Sequence, residues 1–218
     1  MFTIHQPVTI DRAAWPFVAI ATLPAAIAAF AAPLAVTTTL LVLPIAVALF
    51  FRDPKRTAPV EADLVLSPAD GTVMHAGPAR EGEAPPGEWR QVTIFLSVLD
   101  VHINRTPVAG RVTRVEYFPG SFLPAFKHDA HKNERSEIWI DHGGVPVVAR
   151  QVVGMLARRV VCRVVPGDQL VAGARIGLMK FGSRMDVFVP TSAAVTVRQG
   201  DTVRAAETVI ARLASGRS

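Results

Sequence analysis

Between Ala13 and Phe51 the chain carries no charged residue, a run of about 39 positions against the roughly 20 that cross a bilayer once. A stretch of that kind either forms a buried core hairpin or meets lipid, and its length favours lipid. A secretory signal has a shorter apolar region and then a cleavage site, whereas this run continues into Phe50-Phe51-Arg52-Asp53-Pro54-Lys55-Arg56. Pro33 lies near its middle, with Pro24 and Pro44 inside the two halves. The pattern therefore predicts two short apolar helices joined near Ala32-Pro33, either spanning the bilayer as a hairpin or dipping into it. Arg12 on one side and Arg52, Lys55 and Arg56 on the other put positive charge at both ends. By the positive-inside tendency both ends lie in the cytoplasm, and residues 1–57 are expected to hold the following domain on the cytoplasmic face of the cell membrane.

The formal charge of the 218-residue chain is +5, and hydrophobic residues make up 50% of it. Basic chains bind nucleic acid or anionic lipid surfaces. The sequence has no lysine-rich tract, aromatic stacking platform or nucleic-acid motif, so the membrane takes the charge and no nucleic-acid partner is expected. After Pro59 the texture changes to short β-branched runs broken by Gly and Pro. Asp63 to Leu66, Gly71 to His75, Gln91 to Leu96, Gly110 to Phe118, Glu137 to Ile140 and Val145 to Val153 read as strands, and 81–88 reads as a loop. A mainly β domain over 58–218 follows. Cys162, the only cysteine, sits in the strand-like run Val160 to Val165 and reads as a buried structural thiol.

That region echoes itself. Pro166-Gly167-Asp168-Gln169-Leu170 is matched by Gln199-Gly200-Asp201-Thr202-Val203, and Ser67-Pro68-Ala69-Asp70-Gly71 by Thr106-Pro107-Val108-Ala109-Gly110. Such turn-strand-turn units resemble the hammerhead hairpins of lipoyl and biotinyl carrier domains. They predict two interlocked β half-barrels forming one domain.

Chemistry concentrates around Gly182-Ser183, in Met179-Lys180-Phe181-Gly182-Ser183-Arg184-Met185-Asp186. Glycine permits backbone angles denied to other residues, and its carbonyl is unshielded. Ser183 Oγ is placed to attack that carbonyl in an N-to-O acyl shift, provided a base activates it. His102, in Asp100-Val101-His102-Ile103-Asn104-Arg105-Thr106-Pro107, is the natural base because its unperturbed pKa lies near neutrality. Asp70 is expected to hold the imidazole's tautomer, as in a serine-protease triad. Each has a plainer reading: Asp70-Gly71 as a hairpin turn, His102 as a packed core residue, Arg105 and Arg135 as solvated charges. His128 and His131 are three apart and His142 precedes Gly143-Gly144, but neither ligand-bearing helix nor paired cysteines accompany them, so no metal is expected.

Taken in order, Phe50-Phe51-Arg52-Asp53-Pro54, Ser67-Pro68-Ala69-Asp70-Gly71, the Asp100 to Pro107 motif, Asn133-Glu134-Arg135 and Phe181-Gly182-Ser183-Arg184 form a specific set. The chain resembles the phosphatidylserine decarboxylase proenzymes, in their short bacterial and archaeal form. The resemblance implies self-cleavage after Gly182, with Ser183 becoming a covalent pyruvoyl group, the cofactor. Large (1–182) and small (183–218) subunits from one precursor would stay associated. It also implies decarboxylation of phosphatidylserine, or a related serine lipid, to phosphatidylethanolamine through a Schiff base, with release of carbon dioxide. His102 would return a proton to the product, and Arg105, Arg135, Lys180 and Arg184 would be anchors for the lipid phosphate. One departure stands out: longer bacterial relatives carry a second histidine where this chain has Arg105. Either His102 then serves both steps, or His128 or His131 supplies one. The alternative from another class is a membrane-anchored lipoyl-like adaptor without catalytic activity, which would need a coiled-coil insertion that no heptad stretch here provides.

Overall fold

The structure, a computed structural model, describes residues 8–155, 160–179 and 183–214. It divides into two compact units, Met1–Lys55 and Arg56–Ser218. The first holds strand β1 (Thr9–Ile10), a short 3-10 turn (Arg12–Ala14), helices α1 (Trp15–Ala31), α2 (Leu34–Leu40) and α3 (Val42–Phe50), and strand β2 (Arg52–Asp53). Asp11 starts the helical segment by accepting the Ala13 N–H at 2.9 Å, and proline occupies the first turn of α1, where its missing donor costs nothing. Helix α1 ends at Ala32, whose extended angles are those the following Pro33 imposes. The expected break is there. A second break was not foreseen, at Leu41, after Thr38 and Thr39 turn their hydroxyls back onto the carbonyls of Leu34 and Ala35.

Helix α1 packs on α2 and α3 through small residues, with Ala21, Ala25 and Ala28 buried. Antiparallel pairing of β1 with β2, Thr9 opposite Asp53, brings both ends of the hairpin together. The outward faces are apolar: Ile20, Leu23, Ile27 and Phe30 are all exposed, Phe30 at 93%. Arg12–Ala31 is long and apolar enough to cross a membrane, and the following helical stretch Leu34–Phe50 is shorter.

The second unit is mainly β. Its strands are β3 (Leu64–Leu66), β4 (Gly71–Pro78), β5 (Trp89–Leu96), β6 (Ile103–Arg105), β7 (Gly110–Phe118), β8 (Arg135–His142) and β9 (Val145–Val152). There follow β10 (Val160–Cys162), β11 (Gln169–Leu170), β12 (Arg175–Met179), β13 (Ser183–Pro190), β14 (Ala194–Val195), β15 (Thr202–Val203) and β16 (Val209–Arg212). Eight of them form an antiparallel sheet, β11-β7-β8-β9-β13-β5-β4-β15, curled as a half-barrel. Two three-stranded sheets, β10-β12-β6 and β14-β16-β3, accompany it. Bulges between Val73 and His75 in β4 and between Val112 and Arg114 in β7 bend the large sheet at matching places. Alternation sends Val92, Ile94 and Leu96, with Met185, Val187 and Val189, into the core between the sheets.

The large sheet reads the same from either edge, because β9 and β13 lie at its centre and each is followed outward by a long strand, a bulged strand and a two-residue strand. The backbone bonds repeat with it. Ser67 Oγ donates to the Ala69 carbonyl at 2.6 Å, and Thr106 Oγ1 to that of Val108 at 2.7 Å. Val73 N–H donates to Asp201 at 2.9 Å, and Val112 N–H to Asp168 at 2.8 Å. The halves also exchange bonds, Leu66 N–H to the Pro107 carbonyl and Arg105 N–H to that of Pro68, both at 2.8 Å. Gly71 and Gly110 occupy equivalent positions at φ +153°, where a Cβ would strike the carbonyl of Phe95 or Asp141.

Candidate active site

Ser183 opens β13 opposite Leu96 of β5, on the core-facing side that it shares with Met185 and Val187. It is fully buried, and its Oγ has no hydrogen-bond partner among the described residues. Leaving a buried hydroxyl unpaired costs roughly 1–3 kcal/mol, so a position of this kind calls for an explanation. Lys180 and Gly182, the expected phosphate anchor and the expected cleavage residue, lie outside the described residues.

The residues on either side of 180–182, Met179 and Ser183, are both held in strands. The Met179 N–H at the end of β12 donates to the His102 carbonyl at 3.2 Å, and Ser183 sits across from Leu96. Residues 97–102 run from Leu96 to His102, so two connections join the same pair of strand ends. Met179 to Ser183 is four peptide units, about 14 Å at full extension. His102 thus stands at one end of the segment and Ser183 at the other.

The His102 side chain is buried, and its Nδ1–H donates to the Asp100 carbonyl at 2.9 Å. Asp100 in turn closes its own turn by accepting the Ser97 N–H at 2.8 Å. With the proton on Nδ1, the other ring nitrogen, Nε2, is the acceptor and base. Asp70 is bonded elsewhere: its carboxylate accepts from Arg56 at 2.6 Å and from the Ala205 N–H at 2.8 Å. One group that orients the imidazole is the Asp100 carbonyl, which no side-chain pattern in the sequence announces.

The expected phosphate anchors divide. Arg105 is buried and donates to the Gly173 carbonyl at 3.0 Å. Arg135 lies over the Phe118 ring, 4.4 Å from its centroid, and donates to the His131 carbonyl at 3.3 Å. Burial and then the neighbouring Arg150 hold its pKa below the usual arginine value. Arg184 is almost wholly buried, with its guanidinium on Glu83 and Asp186, the latter at 2.7 Å. Burial alone would depress Arg184, but the two carboxylates outweigh it and raise the pKa. Asp186 mirrors this, since burial pushes it up and the Arg184 and Arg150 charges bring it net below the ordinary carboxylate value.

This network on the outer face of β13, completed by Thr93, Arg150 and Glu137, was not anticipated from sequence. Neither was the staple made by Asn133, which is fully buried. Its amide exchanges hydrogen bonds with Leu123 at 2.9 and 2.8 Å and donates to the Val153 carbonyl at 2.8 Å. Asn133-Glu134-Arg135 thereby fastens 121–123 to the end of β9 beside the start of β13. Cys162 is partly buried, and burial pushes its thiol up, as a structural cysteine requires. Among the described residues no three His, Cys, Asp or Glu side chains group to hold a metal.

A family model described as phosphatidylserine decarboxylase matches residues 43–211, from the end of the hairpin through nearly the whole β unit, and sets the class as a carboxy-lyase. A relative from Chlorobium chlorochromatii (strain CaD3) is 46% identical over 164 residues, 75% of this chain and 77% of its own. One from Symbiobacterium thermophilum is 45% identical over 215 residues, 98% of this chain and 99% of its own. One from Paraburkholderia xenovorans (strain LB400) is 40% identical over 206 residues, 94% and 97%. All three are named phosphatidylserine decarboxylase proenzyme. The chain belongs to the phosphatidylserine decarboxylase family.

Proposed function

We propose that this chain cuts itself between Gly182 and Ser183 and then decarboxylates phosphatidylserine to phosphatidylethanolamine at the cytoplasmic face of the membrane. The observation that carries the reading is the buried, unpartnered hydroxyl of Ser183 at the head of a central strand. Ser183 Oγ bonds to the Gly182 carbonyl carbon while the Gly182–Ser183 C–N bond breaks, giving an ester and a free amine. Loss of the Ser183 α-proton with cleavage of the Cβ–Oγ bond then leaves a Gly182 carboxylate and dehydroalanine, which tautomerises to the imine. Water hydrolyses that imine to the pyruvoyl ketone and ammonia. The pyruvoyl group is no larger than the serine residue it replaces at this fully buried position.

The pyruvoyl ketone, once present, supplies condensation with the substrate amine and an electron sink for the bond to the departing carboxylate. The protein does the rest. Support for His102 as base is its Nδ1–H bond to Asp100, which leaves Nε2 free of a ring proton. The same nitrogen, protonated, would deliver a proton to the former α-carbon. Asp70 takes a positioning role, tying Arg56 to the turn at Ala205. Arg105, Arg135 and Lys180 are proposed for the lipid phosphate, and Arg184 is withdrawn because its charge already neutralises two carboxylates. The apolar hairpin tethers the chain to the bilayer that holds its substrate. The two matched β halves are proposed to be lipoyl-like repeats.

The test is mass spectrometry of purified chain, followed by carbon dioxide release from carboxyl-labelled phosphatidylserine. Two fragments, the smaller blocked at its N-terminus, are expected; Ser183→Ala and His102→Gln should each leave one chain. A wild-type preparation that is active yet uncut overturns the reading.

A further inference from the structure

Two further side chains lie on the Ser183 side of the core. Asn104 of β6 and Gln151 of β9 are fully buried, and Gln151 Nε2 donates to Asn104 Oδ1 at 2.8 Å. That single bond leaves Asn104 Nδ2 and Gln151 Oε1 without partners among the described residues. Register brings both toward Ser183. Gln151 is opposite Met185, two residues along β13 from Ser183 and on the same face, a diagonal spacing within reach of a long side chain. Asn104 follows His102 by two residues, so the alternation of an extended chain directs both to one side. It pairs with Gly177 of β12, which must lack a side chain: a Cβ there would collide with the Val161 carbonyl and lie 2.8 Å from Gln151 Nε2.

The orphaned atoms are complementary. A serine hydroxyl needs one donor and one acceptor, and the amide pair has one spare of each. We infer that Asn104 and Gln151, which do not bond to Ser183 in the structure, close on its hydroxyl as a carboxamide clamp, with Asn104 Nδ2–H donating to Oγ and Gln151 Oε1 receiving the hydroxyl hydrogen before attack. This deepens the self-cleavage reading and rests on it. As Oγ bonds to the Gly182 carbonyl carbon its proton passes to His102, while the Asn104 N–H holds Oγ in line with that carbon; the negative charge itself develops on the carbonyl oxygen. Gln151 acts through Asn104 as well, because its own N–H fixes the orientation of that amide.

The experiment follows formation of the 183–218 fragment by intact mass in purified full-length precursor. Asn104→Leu keeps volume and removes the donor; cleavage should slow about 100-fold, as expected when the attacking oxygen is no longer held in line with its target. Gln151→Met should slow it about 10-fold, as loss of orientation rather than of the donor. Replacing both halves of a buried pair with apolar groups restores packing and is close to neutral for stability. The double variant Asn104→Leu/Gln151→Met therefore separates the roles: a clamp predicts cleavage as slow as in Asn104→Leu, whereas a merely structural pair predicts recovery. Hydroxylamine, which severs esters, should release no fragment from the slow variants, since they stall before the ester forms. Recovery in the double variant, wild-type cleavage in Asn104→Leu, or ester accumulation overturns the clamp while leaving self-cleavage intact. A wild-type chain that never cuts removes both.

Discussion

Arg184 and Ser183 are neighbours in sequence and opposites in environment, one facing a network of carboxylates and the other an apolar core. The network fixes the strand that carries Ser183. Asp186 is its pivot, and Asp186→Asn leaves Arg184 and Arg150 short of a counter-charge. Breaking a buried pair from one side costs about 3–5 kcal/mol, so the uncut Ser183→Ala precursor should lose that much on carrying Asp186→Asn, read from urea unfolding. The pH dependence has a definite sign. Burial raises Asp186, but Arg184 more than compensates and the folded value lies below the unfolded one, near 3.9. Its contribution is complete above about pH 4 and is lost as pH falls through the folded value. Unfolding free energy should therefore drop on acidification more steeply in the parent than in the Asp186→Asn variant, and equal slopes would contradict this. None of it was legible in the sequence, where Arg184 reads as a free cation because a charge does not reveal its partner. Gln151 was hidden for the same reason inside an apolar strand pattern, and Asn104 inside the motif read for His102.

Elements were easier to read than contacts. Gly110 to Phe118 was expected as a strand and is β7 at those limits, and Val145 to Val153 is β9 less one residue. Period-two alternation bounded by Gly and Pro is a local signal, so it survives without knowledge of the fold. The hairpin break at Ala32-Pro33 was local too. The break at Leu41 depends on threonines capping their own helix, which residue type alone leaves undecided. The hairpin's outward apolar face yields an element-scale prediction. Ile20 and Leu23, both exposed near the middle of the long helical segment, should lie in hydrocarbon. Lysine at each costs about 2.5–3.5 kcal/mol at a helix centre in a bilayer. The Ile20→Lys/Leu23→Lys chain should leave the membrane pellet on alkaline carbonate washing, while the parent stays. Equal retention would argue against lipid contact.

At the scale of the molecule, the repeated Gly-Asp turns lead into β11 and β15, the two edges of the large sheet, but gave no sign that β9 and β13 would meet at its centre. That pairing joins segments far apart in the chain, and no short-range pattern encodes it. Its effect is that 183–218 contributes a central strand bonded on both sides, with β15 and β16 completing the sheets of β4 and β3. After cleavage the two pieces should co-elute in detergent on size exclusion and part only in denaturant; separation under native conditions would contradict the placement of β13. The location of the bond has a further consequence for the order of events in the cell. It lies in the last link between the halves, and the sheet on one side of it is unfinished until the C-terminal strands have been made. A nascent chain still on the ribosome therefore lacks the strands that pair with β4 and β3. Under the proposed chemistry only a completed copy arms itself, and a truncated one stays inert.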